Sequence, residues 1–249
     1  QKLSQIVWSL EEEEAITPVV LDSGTGQMAP KGSSDILSCS NLGGVTDVSN
    51  DPANPFFSLA SKWNGTASPP LGAKSYSYSE PFSFYDPAGN VRTGTIYYDL
   101  AGKTGGSTAV EYVMGLDDPT LDGSGRAGTQ SAGLLMAGTG TFRSDGAMSN
   151  LTAFTPPASG SPDNLSDWKP ASLSTDGYPV FTAQVTGSTP QAINLNMGLA
   201  LSGSASAGLA SAADAASDQD KIYAPAAGST LNATASTYRG ENNVNIVSK

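Results

Sequence analysis

The 249 residues carry 12 Lys and Arg against 23 Asp and Glu, a formal net charge of −11, with an isoelectric point near 4.2. A basic stripe that would displace counterions from nucleic acid is missing, attraction to an anionic membrane surface is disfavoured, and no apolar run nears the ~20 residues needed to span a bilayer. With no His and a single Cys, Ser-His-Asp catalysis, Cys-His catalysis and an internal disulfide are all excluded within this chain.

With 28 Gly, 16 Pro and only 14% charged residues, the composition suits a turn-rich extracellular all-β protein rather than a disordered one. In chain order, residues 3–9 and 16–21 read as short strands around a solvated acidic run, Glu11 to Glu14. A strand follows at 33–42. Residues 43–75 form a long irregular stretch whose Phe56, Phe57, Leu59 and Trp63 predict packing onto the domain. Strands at 76–85 and 91–100 flank Asp86-Pro87-Ala88-Gly89-Asn90. Asp first, Pro second and Gly fourth fit a type I turn, so this is a β-hairpin. Residues 108–116 alternate with period two, the mark of a half-buried strand. Residues 134–142 predict another strand, ended by Arg143-Ser144-Asp145-Gly146. Residues 156–179 read as loop and 180–186 as a short strand. At 193–201, Ile193, Leu195, Met197, Leu199 and Leu201 form an apolar row, predicting a strand in the centre of a sheet. Ala207 to Ser217 predicts a short helix, and 243–247 a last strand. Many short strands with regular turn signals point to an antiparallel sandwich or barrel.

Candidate sites are few. Cys39 alternates with Asp35 and Leu37 on one face, opposite Ile36, Ser38 and Ser40, and reads as a structural thiol. Asp117 to Gly125 carries three carboxylates in a Gly-containing loop, which suggests calcium; Pro119 and the missing closing Glu depart from an EF-hand, and a solvated turn is the simpler reading. Glu80, Asp86, Asp99 and Glu111 supply carboxylates for glycoside hydrolysis in principle. Asp86, however, is explained by the turn, and the others lie on or near strands whose polar face is expected to meet water. Tyr76, Tyr78, Tyr97 and Tyr98 suggest a sugar-binding platform, but Tyr97 and Tyr98 fall on opposite faces and core packing is favoured. Asn64, Asn150, Asn164 and Asn232 head glycosylation-type triplets, expected by chance in a chain this rich in Ser and Thr. No catalytic residue, metal ligand or cofactor site is assigned.

Phe84-Tyr85-Asp86-Pro87-Ala88-Gly89-Asn90, followed by Thr93-Gly94-Thr95-Ile96-Tyr97-Tyr98, resembles the signature of the bacterial flagellar hook protein family, with Pro87 where Ser is usual. Met28 to Ser34 with Cys39 to Leu42, Gly140 to Gly146, Ile193 to Leu201 and Asn242 to Ile246 resemble further family segments in the expected order. The resemblance implies a structural, non-enzymatic subunit of the hook, the flexible helical tube that joins motor to filament as a universal joint for motility. It implies an outer β-barrel or sandwich at 29–202 with an insertion at 43–75. It also implies a smaller β domain built from both chain ends, 1–28 and 233–249, with 203–232 as an Ala/Ser/Gly-rich insertion or linker. The partners it implies are copies of the same chain, with neither nucleic acid nor membrane insertion. Export runs through the flagellar secretion apparatus without a cleaved signal. The family's terminal heptad helices are missing and the chain begins at Gln1. The expectation is therefore an excised central fragment, monomeric by itself. The alternative is a secreted carbohydrate-binding or adhesin β module.

Overall fold

The computed structural model describes residues 29–49, 51–52, 55–159, 161–164 and 167–201, together with the backbone of 243–248. The chain divides into two units, Gln1–Pro30 and Lys31–Lys249, and the architecture below belongs to the second. The strands expected at 3–9 and 16–21 and the helix expected at 207–217 lie outside the described residues.

Twelve strands, one short α-helix and one 3-10 turn are present among the described residues. They are β1 (Asp35–Asn41), α1 (Ser58–Lys62), β2 (Tyr78–Tyr85), β3 (Val91–Thr104), β4 (Ser107–Leu116), β5 (Leu134–Phe142), β6 (Met148–Leu151), β7 (Phe154–Thr155), β8 (Lys169–Pro170), β9 (Ser172–Leu173), β10 (Pro179–Ala183), β11 (Gln191–Asn196) and β12 (Asn243–Ser248). A five-stranded sheet runs β12-β1-β11-β10-β9, and a seven-stranded sheet runs β2-β3-β4-β5-β7-β8 with β6 also on β5. Every pairing is antiparallel except β1 with β11. The fold is all-β as expected; of the two architectures left open by the sequence it is the sandwich, with two open sheets and no closed barrel.

Between the sheets, β1 contributes the row Ile36, Ser38 and Ser40, with alternation as the sequence predicts. The Ser40 hydroxyl lies 3.4 Å from that of Tyr98 on β3. The expected central strand is β11, whose Ile193 and Leu195 are fully buried. It ends at Asn196, earlier than predicted, because Gly198 takes a positive φ of 90° and its N–H bonds to the Asn196 side chain. Met197, Leu199 and Leu201 remain in the core without continuing the ladder.

One expectation is corrected. The strand at 108–116 is not half-buried: β4 is buried on both faces from Ala109 to Leu116, and β5 along its whole length. The reason lies in the stretch predicted to be irregular, whose described residues 55–63 pack onto the far face of the seven-stranded sheet as a third layer. Phe57 meets Phe154 and Trp168 edge-on, at centroid distances of 5.2 and 6.2 Å. Trp63 donates from Nε1 to the Ala132 carbonyl at 2.9 Å and meets Tyr97 edge-on. The space beneath Trp63 exists because residue 115 is Gly: a Cβ there would stand 2.2 Å from the indole.

Candidate functional site

The β2–β3 hairpin holds the sharpest local geometry. Gly89 N–H bonds to the Asp86 carbonyl at 2.8 Å, closing the predicted turn, and Asp86 N–H bonds to the Asn90 carbonyl at 2.9 Å. Gly89 has φ 84°, so the turn continues into a left-handed residue before β3 begins. Asp86 does more than start the turn. Its carboxylate is 1% exposed and accepts from the backbone N–H of Ala88 and Asn90, the Asn90 amide, and Arg92 Nε and Nη2 at 2.9 and 2.7 Å. Burial works to raise the Asp86 pKa, but the Asn90 and Arg92 hydrogen bonds and the Arg92 charge together hold it below the ordinary aspartate value. The hairpin is also tied to the other sheet. Ser33 N–H and Gln191 Nε2 both donate to the Tyr85 carbonyl, and Tyr85 N–H donates to the Ser33 hydroxyl. The result is a rigid tip that displays two of the three exposed large hydrophobic residues found among the described residues, Tyr85 and Val91, paired directly across the strands.

The other carboxylates sort differently from expectation. Asp99 and Glu111, expected to face water, are 0% and 1% exposed. They are cross-strand partners on β3 and β4. The third layer covers them, which local alternation cannot reveal. Asp99 accepts from Val48 and Ser49 N–H; Glu111 accepts from the Ser49 and Ser58 hydroxyls and from Leu59 N–H. Burial pushes the Glu111 carboxyl up to about 8 against the lowering effect of those hydrogen bonds, and raises Asp99 as well. Glu80, part-exposed, accepts from the Tyr78 hydroxyl.

The Asp117–Asp122 carboxylates diverge to separate partners. Asp117 accepts from Thr95, Asp118 caps the 3-10 turn Pro119–Leu121, and Asp122 holds Ser124, Gly133 N–H and Arg126. The Arg126 guanidinium, 3.2 Å from Asp122, sits where a cation would need that carboxylate. No group of three candidate metal ligands occurs among the described residues. The four tyrosines do not form an exposed platform: Tyr76 packs on Tyr97 and Tyr78 stacks on Tyr98, with Tyr97 and Tyr98 buried on opposite faces.

A family model then decides the kinship: the flagellar basal body protein FlaE D2 domain matches residues 58–244. The chain belongs to this family. The FlaE D2 match runs from α1 to the first residues of β12; it takes in the seven-stranded sheet with its hairpin and β9 to β11 of the other sheet, and leaves out β1. The family is structural and belongs to the bacterial flagellum, with hook assembly by self-association as its mode of action. Comparison with curated proteins returns no match.

Proposed function

We propose that this chain is the β-rich part of a flagellar hook subunit, whose copies assemble into the flexible helical tube that acts as a universal joint between motor and filament in motility. The observation that supports this most is the FlaE D2 match across the seven-stranded sheet and β9 to β11. A body held by cross-braced sheets and a clamped hairpin suits a unit that must keep its shape while the tube bends. The role is non-enzymatic. In this reading residues 29–202 are the outer domain, 1–28 belong to an inner β domain and 203–232 are an insertion or linker; β12, expected in the inner domain, instead pairs with β1 and so joins the outer domain's sheet. Export uses the flagellar secretion apparatus without a cleaved signal. By itself the chain is a monomer, since a net charge of −11 sets copies against one another.

The test is direct. Antibodies raised against the isolated chain should label the outside of purified hooks by immunogold electron microscopy. Label confined to the filament or to the cell body overturns the reading. Sedimentation of the isolated chain should give the 25.3 kDa monomer.

A further inference from the structure

The pieces 46–49 and 57–63 are each fastened to the seven-stranded sheet, and both fastenings end on the same pair of carboxylates. Upstream, Val48 N–H and Ser49 N–H donate to Asp99 at 3.0 and 2.8 Å. Downstream, Leu59 N–H donates to Glu111 at 3.0 Å, and the Ser58 hydroxyl bonds the same carboxylate. The Ser49 hydroxyl joins the two, touching both Ser58 and Glu111. Lys62 Nζ donates back to the Ser49 carbonyl.

The pair is set in low-dielectric surroundings with its own kind. Asp99 and Glu111 stand directly opposite on β3 and β4, where facing Cβ atoms are ~5 Å apart. The next strand presents Thr139 directly opposite Glu111, and its buried hydroxyl has no hydrogen-bond partner. A cleft of about 240 Å³ gives solvent an approach past Asp47, Ser49, Asp51 and Ser58. The charged groups around the pair are therefore Asp47 and Asp51 from the loop and Lys62 from α1; β5 adds only the uncharged Thr139. Burial first, and the facing Asp99 charge to a smaller degree, favour keeping a proton on Glu111.

We propose that the pieces Thr46–Ser49 and Phe57–Trp63 form a proton-fastened strap, held tightest when the Asp99–Glu111 pair keeps a proton and loosened as that proton is lost. Loosening uncovers Tyr97, Val113 and Phe154, the apolar face beneath. The sign follows from linkage. The closed strap binds the proton more tightly than the open one, because Glu111 is raised to about 8 when covered and returns to the ordinary value when exposed. Fastening is complete below the ordinary glutamate value and weakens as pH rises to about 8.

Hydrogen exchange at the Val48, Ser49 and Leu59 amides tests this, with protection corrected for the intrinsic rate and referred to β4 and β5 amides. Between pH 5.5 and 8.0 relative protection should fall at least ~10-fold, one pKa unit's worth. In Glu111→Gln, which cannot ionise, the dependence should shrink below ~3-fold. Constant protection in the native chain, or an unchanged dependence in the variant, overturns the proposal. Should Glu111→Gln fail to fold, carbon-13 titration of the Glu111 carboxyl in the native chain decides. A midpoint above pH 6.5 supports the strap, and an ordinary midpoint overturns it.

Discussion

Asp86 combines a carbonyl that closes the turn with a carboxylate that accepts from the Ala88 and Asn90 amides, neutralises Arg92 and supports the base of an exposed tip. Exchanging it for Asn removes the charge opposite Arg92 and turns an N–H group towards the Ala88 and Asn90 amides. Asp86→Asn should cost about 2–3 kcal/mol, read as a lower urea midpoint at unchanged slope. The pH dependence has a definite sign. The folded Asp86 is more acidic than the unfolded one, so its contribution is present above the ordinary aspartate value and lost as pH falls below it. In Asp86→Asn the acid-side loss of stability should be shallower than in the native chain; an identical acid profile would contradict the clamp. The turn itself is legible in the sequence, because Asp, Pro and Gly act within five residues. The clamp is less so, since Arg92 lies on the strand and nothing local says that it folds back over the turn.

At the scale of elements, the third layer decides how β4 and β5 behave. Trp63, Phe57 and Leu59 are delivered to the sheet by a five-residue helix that has no side-chain cap and owes its place to packing. Gly115→Val should displace the Trp63 ring and destabilise the fold by about 1–3 kcal/mol, while Trp63→Ala should cost about 3–5 kcal/mol. A double variant should cost less than the sum, because the valine then has room; strict additivity would show that the two residues do not share that space. The strands of this sheet are visible in the sequence as alternating runs, and β5 appears with its bounds. Its two-sided burial is not, because the cover comes from some 70 residues upstream. A trace does exist in β4: Ala109, Val113 and Gly115 line the face that also carries Glu111, so both faces are small or apolar and a lone Glu among them is a buried one.

For the whole molecule, the charge and the exposed apolar pair act in opposite directions. Acidic copies repel, and the hairpin tip, where Arg92 cancels Asp86, offers Tyr85 at 49% and Val91 at 57% exposure without adding to that repulsion. Replacing both with Ser should leave the thermal midpoint of the isolated chain within about 2 °C, as surface changes do, while shortening or destabilising hooks built from the parent subunit. Hooks of normal length and stability would remove the tip from the contacts between copies. Family membership was readable from the hairpin motif, whereas the surface that meets a neighbour is a property of the assembly and leaves no periodic mark on one chain.

The place of β1 in its sheet has a kinetic consequence. Its partners are β11, 159 residues downstream at the Asp35–Asn194 pair, and β12, reached only at Ser248. A chain emerging from its N-terminus can zip β2 to β5 as neighbouring hairpins, but Ile36 has nothing to pair with until Leu195 is available and Ser38 nothing until Ile246. Such long-range closure is slow. The seven-stranded sheet should therefore mature first, and the five-stranded sheet should form late and cooperatively around β1. During that interval β1 presents two bare ladder edges, and its part-exposed Cys39 is the natural place to attach a probe that times the closing of the sheet.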